Sequence, residues 1–206
     1  MPQSKNMVQN ISHVFNLYRK DFISTYAIYV SLDKIKPKQI LFEESNALAH
    51  LSQYFNEELT DEIRNDNLKK AKNHLTRATL DLNKLLWAAL ADKLDFIKKH
   101  PNKLLTFNLP TVDVLNRHNI FTAKGTVARR YEMTNIGNNI DTVINNYKEI
   151  NKIGMDLLEK VDIHKIETIN KLTYIIKTKE FIYGAIIGIT ASLIAAFIFD
   201  YIKSLP

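Results

Sequence analysis

The chain has 206 residues, no cysteine, and 28 lysines and arginines against 22 aspartates and glutamates, a formal charge of +6. The missing cysteine excludes disulfides, zinc–thiolate sites and thiol catalysis. The mild basic excess permits a negatively charged partner, anionic lipid or RNA, without demanding one, and 5 Gly with 5 Pro predict long helices rather than strands and turns.

The opening residues, Met1 to Asn6, have no apolar core of signal-peptide type. A first helix is predicted over 6–30, because Val8, Ile11, Phe15, Tyr18, Phe22 and Tyr26 recur at steps of three and four. Pro37 suits the first turn of a second helix over about 37–56, with Ile40, Leu41, Leu48, Leu51 and Phe55 as its apolar side. Thr60 or Asp61 caps a third helix that runs to Lys99. Its seam is Leu68, Ala71, Leu75, Ala78, Leu82, Leu85 and Ala89, a bundle-packing pattern, with Trp87 off the seam.

Residues 101–126 read as an irregular, basic connection punctuated by Pro101, Pro110, Lys124 and Gly125. A helical series then follows: Ile136, Ile140, Val143, Tyr147, Ile150, Leu157 and Val161, with Gly154 at a seam position as a kink or a point of close approach. Ile166, Ile169, Thr173 and Ile176 extend an apolar stripe toward the C-terminus.

Phe181 to Phe199 is free of charge and proline. As a helix it spans roughly 28 Å, close to the hydrocarbon thickness of a bilayer, and Tyr183 and Tyr201 fall near its ends. The expectation is a tail anchor. Lys165, Lys171, Lys177 and Lys179 precede it and only Lys203 follows, which predicts a cytoplasmic N-terminal region at the plasma membrane. Gly184, Gly188, Ser192 and Ala196 recur every four residues, a small-residue ridge of the kind through which membrane helices associate.

The predicted architecture is therefore all-α: a helical bundle over 1–126, a helical stalk over 127–180 that packs on the bundle or self-associates, and one transmembrane helix over 181–201.

Chemistry-bearing residues concentrate on the second and third helices. If these form a hairpin, positions whose numbers add to about 117 face each other. Glu43, Asn46 and His50 line one helix, and Asn67, His74 and Asp81 the other. Glu43 then lies near His74 and His50 near Asn67, the proximity a general base and its orienting group require; Asn46, His50 and His74 are the catalytic candidates. The same residues also read as the polar rim of an ordinary helix pair. The six histidines are too scattered to predict a metal site, and no phosphate-binding glycine loop, GxSxG elbow or HExxH motif occurs. No cofactor is expected.

The runs Glu43 to His50 and Asn67 to Lys84 resemble bacterial HEPN-type helical domains over about 40–100. The resemblance implies a small all-α bundle of the kind found in toxin, antiphage and CRISPR-associated proteins. The family's nuclease motif is an arginine followed, after four to six residues, by a histidine. Asn46 and His50 match its polar residue and histidine, but Ser45 stands in the arginine's place. No other arginine has a histidine at the required distance. The leading expectation is thus a non-enzymatic, tail-anchored effector of defence or toxin type that oligomerises and perturbs membrane lipid. The alternatives are a membrane-tethered HEPN-like ribonuclease and a SNARE-like coiled-coil tether; RNA or a defence-complex protein is a possible partner.

Overall fold

The structure, a computed structural model, describes residues 11–203, without the side chains of Pro101 and 189–203. Within them the chain is all-helical. Helix α1 covers 11–33 and contains a π-helical turn, Leu17–Phe22, before its last segment Ile23–Asp33. Lys34 closes it in the left-handed region, at φ 60°. Helix α2 (Lys38–Tyr54) starts after Pro37, and α3 (Asp61–Leu94) starts after Thr60, whose hydroxyl accepts from the Ile63 N–H at 3.5 Å. After the turn Phe96–Lys99 and the 3₁₀ segment Pro101–Thr106 come α4 (Thr111–Thr134), α5 (Ile140–Leu158) and α6 (Ile163–Lys203). Residues 6–10 of the expected first helix, Val8 included, lie outside the described residues.

Helix α3 is the axis. Its 34 residues make it about 51 Å long, and it packs in turn on every helix except α6. Its first half joins α1 and α2 around a small core of Val14, Ala47, Leu51, Tyr54, Leu68, Ala71 and Leu75. Its second half enters a larger core with Phe22, Ile40, Phe121, Val143, Tyr147, Ile150 and Leu157. The predicted seam holds to Leu82 and then moves: Leu86, Leu90 and Leu94 are buried, whereas Leu85 is exposed and Ala89 only half-buried. Steps of four advance around a 3.6-residue helix, so the apolar stripe rotates as the partner changes from α2 to α5.

The irregular connection expected over 101–126 is mostly helix. Val114, His118, Phe121, Gly125 and Ala128 are buried at steps of three and four along α4. Gly125 is not punctuation but a close approach, since a Cβ there would lie 2.5 Å from Trp87 Nε1. The segment 127–180 is divided rather than continuous: the chain reverses at 135–139 through Gly137 and Asn139, both at positive φ. Helix α5 then packs against α3 and α4. Ile136 sits in that turn, 80% exposed. Gly154 admits a neighbour, because a Cβ there would meet Phe121 at 2.8 Å and Leu90 at 3.1 Å.

The transmembrane helix of the expected architecture is corrected. Among the described residues, no helix is long and apolar enough to cross a membrane. Helix α6 carries Lys165, Glu167, Lys171, Lys177, Lys179 and Glu180 before the apolar run, and only 181–188 of that run fall among the residues described with side chains, too few to span a bilayer. The side chains of 189–201, including those of Ser192 and Ala196, lie outside the described residues. The root of α6 is clamped: Asp162 N–H donates to the Thr106 carbonyl, Asn108 N–H to the Lys160 carbonyl, and Lys165 Nζ to Phe107 O and Asn108 Oδ1. From Tyr174 to Gly188 every residue is exposed.

Candidate active site

The α2–α3 hairpin sets the register. A short turn after Tyr54 reverses the chain, and the two helices run antiparallel with their apolar faces on the small core. Glu43 and His50, two turns apart, lie on one rim of α2. Asn67 and His74, also two turns apart, lie on the facing rim of α3. The pairs that the register implies are present: His74 Nδ1 is 2.6 Å from Glu43 Oε2, and His50 Nδ1 is 2.8 Å from Asn67 Oδ1. The two imidazoles stack on each other, centroids 5.3 Å apart and planes 16° apart. Four side chains thus form one row, Glu43–His74–His50–Asn67, across the helix pair.

Hydrogen bonding assigns the protons. A carboxylate only accepts, so His74 Nδ1 carries the hydrogen toward Glu43. The Asn67 amide nitrogen donates to the Ile63 carbonyl at 2.9 Å, which turns its oxygen toward His50 and makes His50 Nδ1 a donor too. Each ring therefore presents Nε2 as its working atom. Neither Nε2 has a hydrogen bond among the described residues. The buried polar atoms without partners are Thr79 Oγ1, Trp87 Nε1 and Asn151 Oδ1, so both Nε2 atoms meet solvent. The site is half-buried: the side chains of His74 and Glu43 retain 23% and 17% exposure. A base and an acid held side by side, each oriented from behind, is an arrangement for moving two protons at one reacting centre.

Neighbouring groups support this row. Tyr18 donates its hydroxyl to Glu44 Oε1 at 2.8 Å, a bond that, with burial, pushes the phenol up to about 12. That bond ties α1 to the turn of α2 carrying Glu43. The π-helical turn supplies the phase, since it stacks Tyr18 on Phe22 at 5.6 Å and Phe22 is fully buried. No sequence periodicity announces a π turn, and Tyr18 reads from sequence only as part of an apolar stripe. Asp66, beside His50, is held below the usual carboxylate range, chiefly by its hydrogen bond from Lys70 and in part by the field of His50.

Of the other sequence candidates, Asn46 is exposed and makes no hydrogen bond among the described residues. Asp81 belongs elsewhere: it pairs with Lys84, which reaches on to Glu132 of α4. The basic surface expected around 98–130 is diluted, because His118 is buried, Lys99 pairs with Asp95 and Lys124 lies 3.6 Å from Glu149. Among the described residues no group of three or more His, Asp or Glu side chains is placed to hold a metal ion. A Cβ on Gly184 or Gly188 would meet nothing within 4 Å, so the first half of the small-residue ridge faces away from the body. Comparison with protein families, with curated proteins and with solved structures finds no match to this chain.

Proposed function

We propose that the chain cleaves RNA by general acid–base catalysis at the histidine pair. The single observation behind this reading is the stacked His50–His74 pair, anchored at both outer nitrogens and open at both Nε2 atoms. The site offers no nucleophile of its own. The chain lacks cysteine, and Ser52, two residues after His50 and so on the opposite side of α2, donates to the Ala49 carbonyl. A substrate that carries its own nucleophile fits such a site, and RNA does so in its 2′-hydroxyl.

In this reading His74 Nε2 takes the proton from the 2′-hydroxyl, and Glu43 stabilises the imidazolium that forms. The 2′-oxygen attacks phosphorus and the bond to the 5′-oxygen breaks. His50, entering as imidazolium, gives its Nε2 proton to that leaving oxygen; Asn67, neutral, keeps the ring oriented whether or not it is charged. The products are a 2′,3′-cyclic phosphate and a 5′-hydroxyl. One positive charge shared by stacked rings avoids the repulsion of two. The resemblance of this hairpin to HEPN-type domains points the same way, although its nuclease arginine is missing. The test is to incubate the full chain with a labelled single-stranded RNA in the presence of EDTA. Expected are 2′,3′-cyclic ends and an inert 2′-deoxy control. Absence of cleavage, or cleavage of the deoxy control, overturns the reading.

A second reading, an effector that self-associates and acts at membrane lipid on the cytoplasmic side, is favoured by α6. Leu172, Tyr174, Ile175, Ile176, Phe181 and Ile182 are exposed on a helix that leaves the body, with Lys171, Lys177 and Lys179 among them. Exposed apolar surface of this extent marks an interaction site. Flotation with anionic vesicles, together with cross-linking of Gly184→Leu/Gly188→Leu, tests it. Failure to float and unchanged cross-linking dismiss it.

A further inference from the structure

Lys70, Arg77 and Lys84 stand at steps of seven on one strip of α3, just outside the rim that carries His74. Two of these three cations are already neutralised. Lys70 Nζ lies 2.8 Å from Asp66, and Lys84 bridges Asp81 at 3.0 Å and Glu132 at 2.9 Å. Arg77, exposed, has no ion pair or hydrogen bond among the described residues. It follows His74 by three residues, so the two are neighbours on the helix surface. Long side chains on a helix lean toward its N-terminus, which directs this guanidinium back over the His74 turn. The Lys70–Asp66 pair shows the same lean one turn and two turns earlier.

We infer that Arg77 is the anion-receiving group of the histidine site, and that the ligand it takes is a backbone phosphate of a single-stranded polynucleotide. The inference rests on the acid–base reading of the site and adds its substrate-binding half. The chemistry follows from the contrast along the strip. A cation with a carboxylate partner has little left to offer a ligand, whereas an unpartnered guanidinium presents a planar fork that matches two phosphate oxygens. The carboxylates around this strip have partners of their own: Glu43 is engaged by His74, Asp66 by Lys70, and Asp81, four residues after Arg77, by Lys84. A phosphodiester gripped by Arg77 stands beside His74 Nε2, where the proton transfer is needed. Arg77 thus binds and positions; it is not asked to transfer a proton.

The experiment uses the full chain and two probes of one sequence, a cleavable RNA and a 2′-deoxy oligonucleotide that cannot form the cyclic phosphate. Arg77→Gln is expected to weaken binding of the deoxy probe at least about fivefold and to lower the salt slope of binding by about one ion. The same change should reduce kcat/KM on RNA mainly through KM. Arg77→Lys should restore the salt slope but only part of the affinity, because the fork is lost. Lys72→Gln, exposed on another side of the helix, should match wild type. If Arg77→Gln binds and cleaves like Lys72→Gln, the inference is overturned while the acid–base reading stands. If the chain cuts no RNA yet holds the deoxy probe through Arg77, the anion site stands and the acid–base reading falls. If the chain neither binds nor cuts, both fall.

Discussion

The two halves of α3 put polar groups to opposite uses. Along the first half, where α2 lies against it over the small core, polar side chains of both helices lie on the rim and leave atoms facing water: the Nε2 atoms of His74 and, on α2, His50, with Asn46 of α2 and Arg77 of α3. In the second half, polar side chains are sealed inside. Asn83 donates to the Thr79 carbonyl, and the Asn151 amide of α5 donates to Asn83 O and Oδ1, with all three residues at most 4% exposed. A buried amide that spends its donors on a neighbouring residue fixes how α5 sits on α3, and burial keeps its unpartnered oxygen, Asn151 Oδ1, away from any ligand in solvent. The difference teaches where reactivity is available along a single helix. It is available where the partner helix covers the apolar face and stops short of the rim.

That contrast makes predictions of decreasing size. The largest concerns the rim. His74→Gln or His50→Gln should lower RNA cleavage by roughly 10²- to 10⁴-fold, with only a slight change in the urea midpoint, because a half-exposed side chain contributes little packing. A large loss of stability in these variants would place the histidines among the structural groups and erase the distinction between the halves.

The sealed half should behave in the reverse way. Leu90→Ala, at a site with no exposure, should cost about 3 kcal/mol in urea unfolding while leaving kcat/KM of the folded protein unchanged. Gly125→Ala should cost about 1 kcal/mol. Its new methyl would collide with the Trp87 ring, and the better helix propensity of alanine offsets only part of that strain. A stabilised Gly125→Ala variant would show that Trp87 yields easily.

His118 sharpens the comparison by pH. Burial, and then the Lys98 charge, hold this imidazole below its ordinary value near 6.5. The folded state therefore binds the proton less readily than the unfolded chain, and stability rises with pH through this window. The contribution is fully present above about 6.5 and is lost as pH falls from there through the folded value. His118→Phe should flatten that acid-side loss in urea titrations run at several pH values; an unchanged slope would assign the acid sensitivity elsewhere. The smallest effect belongs to the cap of α3. Thr60→Ala should cost roughly 0.5 kcal/mol by thermal unfolding, since the capping bond is long at 3.5 Å.

Sequence alone determined the helical class, because apolar residues at steps of three and four and few glycines or prolines leave little else to form. It also determined the register of the α2–α3 hairpin. A turn of fixed length between two amphipathic faces dictates which numbers meet, so Glu43 with His74 and His50 with Asn67 were legible in advance. Tertiary structure alone decided that the two imidazoles stack, that Asn67 turns its oxygen toward His50, and that Arg77 is the cation on its strip without a carboxylate. Those outcomes depend on rotamers chosen by packing, on which periodicity is silent. The same holds for 101–134, where Pro110, Lys124 and Gly125 look like breaks. Gly125 is helical because Trp87, distant in sequence, needs the space its missing side chain leaves. The C-terminal apolar run misled for a related reason. Composition counts the whole apolar run, whereas among the described residues no helix is long and apolar enough to cross a membrane.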